Sequence, residues 1–331
     1  MQADQKKICN SIMVSTEGVE NMKILITGAT GFLGSHLVKM VLKNGYEVVV
    51  VKRKLSDMWR LKDIKGNYNV YNIDEVSIDS IFECERNIGA VIHCATDYGR
   101  DGKPINKMLD SNVLFPVELL ETAVNYKVKC FINTDSFFNV NLSIDEFLKE
   151  NRYLSVYTLS KRHFNEWGRL IALHDNIKFI NMKLEHVYGE NDSLNKFVPS
   201  IIDKCIKNVP CIDLTNGEQS RDFIYVNDVV SAYLVILKSI NTLGNENYYE
   251  FEIGKGHALK VKDFVKLIKE VTNSSSILNF GAIAKMQTEV EYSEANIHYL
   301  EKFGWKPLYN DEAGIREYIS NEFLKGGYNG G

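Results

Sequence analysis

From Met22 onward, short segments that are almost wholly apolar alternate with amphipathic segments. The apolar segments have the length of strands, and the amphipathic ones repeat apolar residues at the spacing of a helix face. A parallel sheet that is covered by helices on both faces requires this alternation, because its strands are buried on each side. We therefore predict a doubly wound α/β fold, with strands at 23–27, 47–51, 69–73, 90–95, 129–134 and 177–184 and helices at 33–44, 76–86, 106–126 and 155–173.

A glycine-rich loop, ITGATGFLGSHL, joins the first predicted strand to the first predicted helix. Gly28, Gly31 and Gly34 recur at every third residue, and glycines let a ligand approach the backbone closely. The helix that follows points its free amide groups at the loop, which favours a bound pyrophosphate. Strand, loop and helix together predict a Rossmann-type dinucleotide site, and a plain tight turn is the alternative.

The end of the second strand usually decides between NAD and NADP. An acidic residue there binds the 2′-hydroxyl of NAD, whereas a cation accommodates the 2′-phosphate of NADP. This strand ends in Lys52 and Arg53 without an acidic residue, which favours NADP(H) over NAD(H). Asp74, after the third strand, is placed to reach the adenine amino group, with an ordinary loop aspartate as the alternative.

Tyr157 and Lys161 lie four residues apart in the predicted helix 155–173. Residues at this spacing share a helix face, so the ammonium of Lys161 can lower the pKa of the Tyr157 phenol. A tyrosine tuned in this way passes a proton to or from a sugar hydroxyl or carbonyl. The spacing alone also fits two residues that share a face by chance. A strand that ends in Thr134 and Ser136, shortly upstream, favours the catalytic interpretation.

These features resemble the extended short-chain dehydrogenase/reductase superfamily, in its branch of sugar-nucleotide epimerases, dehydratases and reductases. The resemblance extends from about Lys23 to Tyr318 and rests on the segments TGATGFLGS, VIHCAT, SNVLFPVELLETA, FINTDS, YTLSK, KLEHVYGEND, RDFIYVNDVVSAYL and FGWKP. It implies that Tyr157 is the acid/base, that Lys161 binds the cofactor ribose and that Ser136, rather than Thr134, binds the reacting oxygen.

The same resemblance implies further contacts to both ligands. The cofactor contacts are Thr30, Phe32, Leu33, Ala95 and Asn112, besides the glycines and the strand-end residues. The substrate contacts are His186, Lys196 and Arg221, of which Arg221 resembles the guanidinium that binds the nucleotide's phosphates. An ordinary helix residue is the alternative for Asn112, a solvated lysine for Lys196 and a core histidine for His186.

Departures from the patterns of subfamilies narrow the reaction. The 4,6-dehydratases carry an Asp–Glu pair after the strand hydroxyl, where this chain has Phe137 and Phe138. The histidine of base-mediated C3/C5 epimerisation aligns with Asn191. The resemblance thus favours reduction or oxidation at C4, on a CDP-4-keto-3,6-dideoxyhexose or, as a close variant, a GDP-heptose of bacterial surface-polysaccharide synthesis. The alternatives are a C4 epimerase with tightly bound NAD and a nucleotide-sugar-binding protein without activity.

The pattern loosens after Tyr188, where turn-rich segments separate helices predicted near 196–207, 227–239 and 260–272. We expect a smaller C-terminal α/β substrate lobe there, with some segments crossing between the two parts. The predicted units are a flexible leader over 1–21, a dinucleotide-binding domain over 22–188, a nucleotide-sugar-binding lobe over 189–325 and a flexible tail over 326–331.

Composition and charge argue against several classes of partner. A formal charge of −4 without a basic stripe argues against nucleic acid. The six cysteines form no C-x-x-C pair, which predicts reduced thiols and neither disulfides nor a metal site. No segment has the pattern of a signal peptide or the length of a bilayer span, so we predict a cytoplasmic protein without membrane contact. The resemblance implies a homodimer, in which helices 106–126 and 155–173 form a four-helix bundle across a two-fold axis.

Overall fold

A computed structural model describes residues 22–99, 102, 104–138, 155–285 and 290–324. The leader and the tail that the sequence predicts lie outside these residues. The strands are β1 (Lys23–Thr27), β2 (Glu47–Lys52), β3 (Tyr68–Asn72), β4 (Ile88–His93), β5 (Cys130–Ser136), β6 (Lys178–Leu184), β7 (His186–Tyr188), β8 (Cys211–Leu214), β9 (Ser220–Arg221), β10 (Phe223–Tyr225), β11 (Tyr248–Ile253), β12 (Leu259–Lys260) and β13 (Ile277–Phe280).

The helices flank these strands in the alternation that the sequence predicts. They are α1 (Phe32–Lys43), α2 (Ile78–Cys84), α3 (Ile105–Leu109), α4 (Phe115–Asn125), α5 (Val156–His174), α6 (Phe197–Ile206), α7 (Val226–Ser239), α8 (Val261–Val271), α9 (His298–Glu301) and α10 (Asp311–Ile319). A 3₁₀ turn, Trp59–Leu61, and two π-helical turns, Asp110–Leu114 and Ser320–Leu324, complete them. The sequence predicts one uninterrupted helix over 106–126, whereas the π-helical turn separates α3 from α4.

Seven parallel strands form the central sheet, in the order β11-β6-β5-β4-β1-β2-β3. β1 pairs with β2 on one side and with β4 on the other, so the order of strands reverses at β1. The predicted doubly wound, Rossmann-type sheet is thereby confirmed. In open sheets of this kind, ligands bind beyond the carboxyl ends of the strands at the point of reversal.

Both faces of the sheet are buried, as the apolar strands require. Side chains alternate between the faces of a strand. In β1, Ile24 and Ile26 pack in one core with Val229 of α7, and Leu25 packs in the other with Phe164 of α5. Helices on the two faces thus hold the carboxyl ends of β1, β4, β5 and β6 in fixed positions.

The C-terminal half adds three small sheets, in which β7 pairs with β10, β8 with β13 and β9 with β12. Its strand β11 crosses into the central sheet and pairs with β6. The boundary near residue 188 remains a prediction. Within the described ranges, no helix is both long and apolar enough to span a membrane.

Candidate active site

A cavity of about 890 Å³ opens at the carboxyl ends of the central strands. The glycine loop forms one wall, and the ends of β4, β5 and β6 together with α5 form the other. Most of the predicted site residues line it, namely Gly28, Thr30, Gly31, Phe32, Leu33, Gly34, Lys52, Arg53, Ala95, Ser136, Tyr157, Lys161 and Lys196. Four do not belong to this lining: Asp74, Asn112, His186 and Arg221.

The glycine loop has the shape that a dinucleotide requires. Gly28 has a φ of +66°, and a Cβ there would lie 2.6 Å from the amide nitrogen of Ala95. A Cβ on Gly34 would lie 2.1 Å from the carbonyl oxygen of Gly28. Gly31 provides no side-chain cap to α1, so the first amide groups of that helix are available to phosphate oxygens. The residues present therefore fit a nicotinamide dinucleotide.

The cavity is basic beside the carboxyl end of β2, where a bound dinucleotide is expected to place its adenosine. Arg53 and Arg60 line it, and the guanidinium of Arg60 donates to the carbonyl oxygens of Asn191 (2.9 Å) and Thr30 (3.3 Å). The ammonium of Lys52 donates to carbonyl oxygens of its own loop. Asp74 accepts a hydrogen bond of 2.8 Å from the amide of Lys54 and does not line the cavity, so its predicted contact with adenine has no geometric support.

Tyr157 and Lys161 both lie on the face of α5 that borders the cavity. The ring of Tyr157 stacks on that of Tyr98, with centroids 5.0 Å apart. Burial, and then the charges of Tyr98 and Asp135, raise the pKa of Tyr157, while a hydrogen bond with Ser136 lowers it. The sequence predicts a lowered pKa, and that direction is wrong for this arrangement. Tyr157 consequently holds its proton at neutral pH.

Lys161 is almost fully buried. Burial lowers its pKa, and the neighbouring Asp135 carboxylate acts in the opposite direction. Because the charge of Asp135 raises the pKa of both Tyr157 and Lys161, it offsets the effect that the ammonium would have on the phenol. Burial of the phenol is the main physical reason for the wrong prediction, and the charges of Tyr98 and Asp135 add to it.

Asp135 belongs to a buried polar chain across three strands. Its Oδ2 accepts a hydrogen bond of 2.9 Å from the Asn181 amide, and its Oδ1 accepts one of 2.8 Å from the amide of Ser136. The same Asn181 amide donates to Glu250 at 3.1 Å, and Glu250 pairs with Lys183 at 2.5 Å. Both carboxylate oxygens of Asp135 are thus engaged, which argues against a role for it as a mobile acid.

Two hydroxyl residues of β5 line the cavity, and they have different partners. The Thr134 hydroxyl lies 2.8 Å from the hydroxyl of Tyr233 and 3.1 Å from the sulfur of Cys94. Ser136 instead forms a hydrogen bond with Tyr157. This difference favours Ser136 over Thr134 as the partner of the reacting oxygen, and the assignment stays a prediction.

Asn112 lies in the π-helical turn and is buried. Its amide group accepts from the Asp97 amide at 2.7 Å and donates to the Asp97 carbonyl at 2.8 Å and to the Ser160 hydroxyl at 2.9 Å. It therefore fixes the loop after β4 against α5. Asn112 thus holds two elements of the cavity wall together and does not itself line the cavity.

The predicted substrate residues differ in position. The Lys196 ammonium lines the cavity and pairs with Asp192 at 3.0 Å. The His186 ring packs against that of Phe137, with centroids 4.5 Å apart and the ring planes tilted by 37°. Arg221 is buried, and its guanidinium donates to the carbonyl oxygens of Ser220 and Val290. Its predicted contact with phosphates remains a prediction.

Sequence reasoning assigned no role to Tyr98, Arg60 or Glu185, although all three line the cavity. Tyr98 belongs to a loop and Arg60 to a short 3₁₀ turn, and local spacing does not predict the side-chain directions of either. The sequence does indicate Glu185, because it directly follows a buried strand and a glutamate is rarely buried there without a specific partner.

The sequence and the fold are both similar to those of known proteins. A profile described as the NAD dependent epimerase/dehydratase family matches residues 24–254. The chain is 40% identical over 301 residues to the CDP-abequose synthase of Salmonella muenchen, covering 91% of this chain and 98% of that protein. It is 38% identical over 311 residues to the CDP-abequose synthase of Salmonella typhimurium, covering 89% and 97%.

Among solved structures, the UDP-glucose 4-epimerase of Thermotoga maritima, determined with UDP-glucose, matches with a TM-score of 0.75. The two chains are 24% identical, and the match covers 90% of this chain and 98% of the other. At this identity the likeness concerns the fold.

Proposed function

The chain belongs to the NAD dependent epimerase/dehydratase family, and from this we propose that it is an NAD(P)-dependent oxidoreductase that acts at C4 of a nucleotide-activated sugar. One observation carries the proposal: Ser136, Tyr157 and Lys161 line the same cavity as the glycine loop. A sugar carbonyl that binds beside Tyr157 would therefore lie next to the bound cofactor.

In the reductive direction, the C4 carbonyl carbon gains a hydride and its oxygen gains a proton. A bound nicotinamide supplies the hydride. Tyr157 donates the proton from its hydroxyl, and Ser136 holds the oxygen by a hydrogen bond during the transfer. The positive charge of Lys161 stabilises the phenolate that remains. The raised pKa of Tyr157 suits this direction, because the residue begins the reaction protonated.

For the substrate we favour a CDP-4-keto-3,6-dideoxyhexose, with a GDP-heptose as a close variant. Support comes from the two CDP-abequose synthases, which match over nearly their whole length. Phe137 and Phe138 stand where the 4,6-dehydratases carry an Asp–Glu pair, and both carboxylate oxygens of Asp135 are engaged, which argues against dehydration. The product would serve bacterial surface polysaccharides such as capsule or O-antigen, and the reaction would take place in the cytoplasm, where nicotinamide cofactors and sugar nucleotides occur.

The cofactor we favour is NADP(H), with NAD(H) as the alternative. Arg53 and Arg60 both line the adenosine end of the cavity, where two guanidinium groups suit a 2′-phosphate. Of the two carboxylates that follow β3, Asp74 accepts from the Lys54 amide and Glu75 pairs with the Lys54 ammonium.

We also propose a homodimer. Three large apolar side chains on α5, Trp167, Leu170 and Leu173, are exposed at a spacing of three residues, and Leu114 of the adjacent π-helical turn is exposed as well. A repeat of this kind on neighbouring helices fits a four-helix bundle formed with a second copy of the chain.

The test is to offer the purified protein CDP-, GDP-, UDP- and dTDP-linked 4-keto sugars and 4-hydroxy sugars, with each form of NADP and NAD. We expect nicotinamide absorbance to change with a CDP-4-keto sugar and NADPH, and Tyr157→Phe to abolish turnover while it retains cofactor binding. Turnover without net redox, by a protein that releases NAD on denaturation, would instead identify a C4 epimerase. Binding without turnover would identify a sensor.

A further inference from the structure

Glu185 is a buried carboxylic acid of the cavity that the mechanism above does not use. It directly follows β6, whose last residue, Leu184, pairs in register with Ser136. Its residue exposure is 8%, yet it lines the same cavity as Tyr157. An ionisable group is costly to bury, so its presence at the floor of a ligand cavity calls for a specific role.

The side-chain contacts of Glu185 involve one of its two carboxyl oxygens, Oε2. Oε2 accepts a hydrogen bond of 3.0 Å from the Ser293 hydroxyl and lies 3.2 Å from Nδ1 of His186. Among the described residues, no hydrogen bond to Oε1 is found. Since Glu185 lines the cavity, Oε1 is the oxygen that remains for a ligand.

The charged groups around Glu185 come from several elements. Burial comes first and raises its pKa to about 7, and the charges of Glu252 and Glu294 act in the same direction. The Ser293 hydrogen bond and the charge of Arg221 lower it, and the neighbouring Asp222 and Glu185 interact as like charges. Glu185 is therefore poised between its neutral and its charged form near neutral pH.

We propose that Glu185 is a specificity-determining residue that binds the sugar of the nucleotide sugar in its protonated form, through a hydrogen bond from its carboxyl group to a sugar oxygen. This inference rests on the proposed function. The substrate brings two negatively charged phosphates into the cavity, so an ionised Glu185 would repel it, whereas the neutral acid has a proton to donate. Substrate binding then takes up one proton.

The experiment is calorimetric titration of the full chain, saturated with NADPH or NADH, with the glucose nucleotides of CDP, UDP, GDP and dTDP. Glucose has no carbonyl to reduce, so these ligands report binding alone. For the wild type we expect affinity to fall about tenfold between pH 6 and pH 8, because a group with a pKa of about 7 loses its proton over this range. Titrations in buffers with different ionisation enthalpies measure the number of protons that the complex takes up on binding, and we expect about one at pH 8.

Two variants separate this role from a structural one. Glu185→Gln, whose amide still donates, should bind the same ligand without pH dependence and without proton uptake. Ser293→Ala removes a hydrogen bond that lowers the pKa of Glu185, so it should move the midpoint of the pH dependence upward. Glu252→Gln removes a charge that raises this pKa from outside the lining of the cavity, so it should keep the proton uptake and move the midpoint downward.

The outcomes distinguish the two proposals. A wild type that binds one of the nucleotides, with Glu185→Gln showing the same pH dependence, overturns the role of Glu185 alone. A wild type that binds none of them overturns the proposed function and this inference with it. Proton uptake that disappears in Glu185→Gln and shifts in Ser293→Ala supports both.

Discussion

The Asp135 carboxylate acts on both of the proposed catalytic side chains. It raises the pKa of Lys161, which favours the ammonium, and it raises the pKa of Tyr157, which favours the neutral phenol. Its own position is fixed by the Asn181 amide and by the backbone of Ser136. A fixed negative charge therefore adds to the effect of burial on Tyr157 and opposes the effect of burial on Lys161.

Replacing Asp135 by Asn should shift the pH profile of the reaction. The loss of the carboxylate lowers the pKa of both Lys161 and Tyr157, so each loses its proton at lower pH than in the wild type. We expect the alkaline limb of kcat/KM to move to lower pH. The measurement is kcat/KM across the range from neutral to alkaline pH.

Glu250→Gln is the matched control for this prediction. Glu250 belongs to the same polar chain and bonds Asn181, but the pKa of Tyr157 and that of Lys161 do not depend on its charge. Glu250→Gln should leave the alkaline limb of kcat/KM where it lies in the wild type. A folded Asp135→Asn protein with the wild-type limb would contradict the assigned role of Asp135.

The loop between β1 and α1 depends on close packing of its backbone. A methyl group on Gly34 would lie 2.1 Å from the Gly28 carbonyl oxygen, which is a backbone atom and cannot turn aside. Gly34→Ala must therefore displace α1 from the loop and disturb the amides that face the pyrophosphate. We expect cofactor affinity to fall by about tenfold or more, equivalent to about 1.4 kcal/mol, in a fluorescence titration with NADPH and NADH.

Gly244→Ala is the control for that variant. A Cβ at Gly244 would meet only the Tyr249 hydroxyl, at 3.4 Å, and the residue lies outside the cavity lining. It should bind the cofactor as the wild type does. Wild-type affinity in Gly34→Ala would show that the loop does not hold the dinucleotide.

The elements themselves are largely predictable from the sequence, and their contacts are less so. The apolar run of β1 and the helical spacing of α5 are local signals, and both elements lie within about two residues of their predicted bounds. The chain from Asp135 through Asn181 to Glu250 requires the register of three strands that are distant in sequence. Asp74 accepts a hydrogen bond from the Lys54 amide, a partner distant in sequence that composition does not reveal, and its contact with adenine stays a prediction.

Among the described residues, the outer face of α5 carries large apolar side chains that the fold leaves exposed. Leu170 and Leu173 remain exposed there, although apolar residues of this size are mostly buried. We expect the protein to sediment as a dimer and Leu170→Glu to sediment as a monomer, because a charge in an apolar interface loses its hydration. Analytical ultracentrifugation measures both.

The control for the dimer is Leu308→Glu, which changes a more exposed leucine away from α5. It should remain dimeric. A wild-type protein that is monomeric at micromolar concentration would contradict the proposed four-helix bundle and would leave the cavity, which lies within one chain, unaffected.

The central claim concerns the whole molecule: one cavity that holds a nicotinamide cofactor transfers hydride to or from C4 of a nucleotide sugar. The most direct measurement supplies CDP-4-keto-3,6-dideoxyglucose together with NADPH that carries deuterium at the transferred position, and locates the label in the product by NMR. We predict one deuterium, bound at C4, for each NADPH oxidised, and none with Tyr157→Phe. Deuterium at another carbon, or product formed without oxidation of the cofactor, would contradict the account.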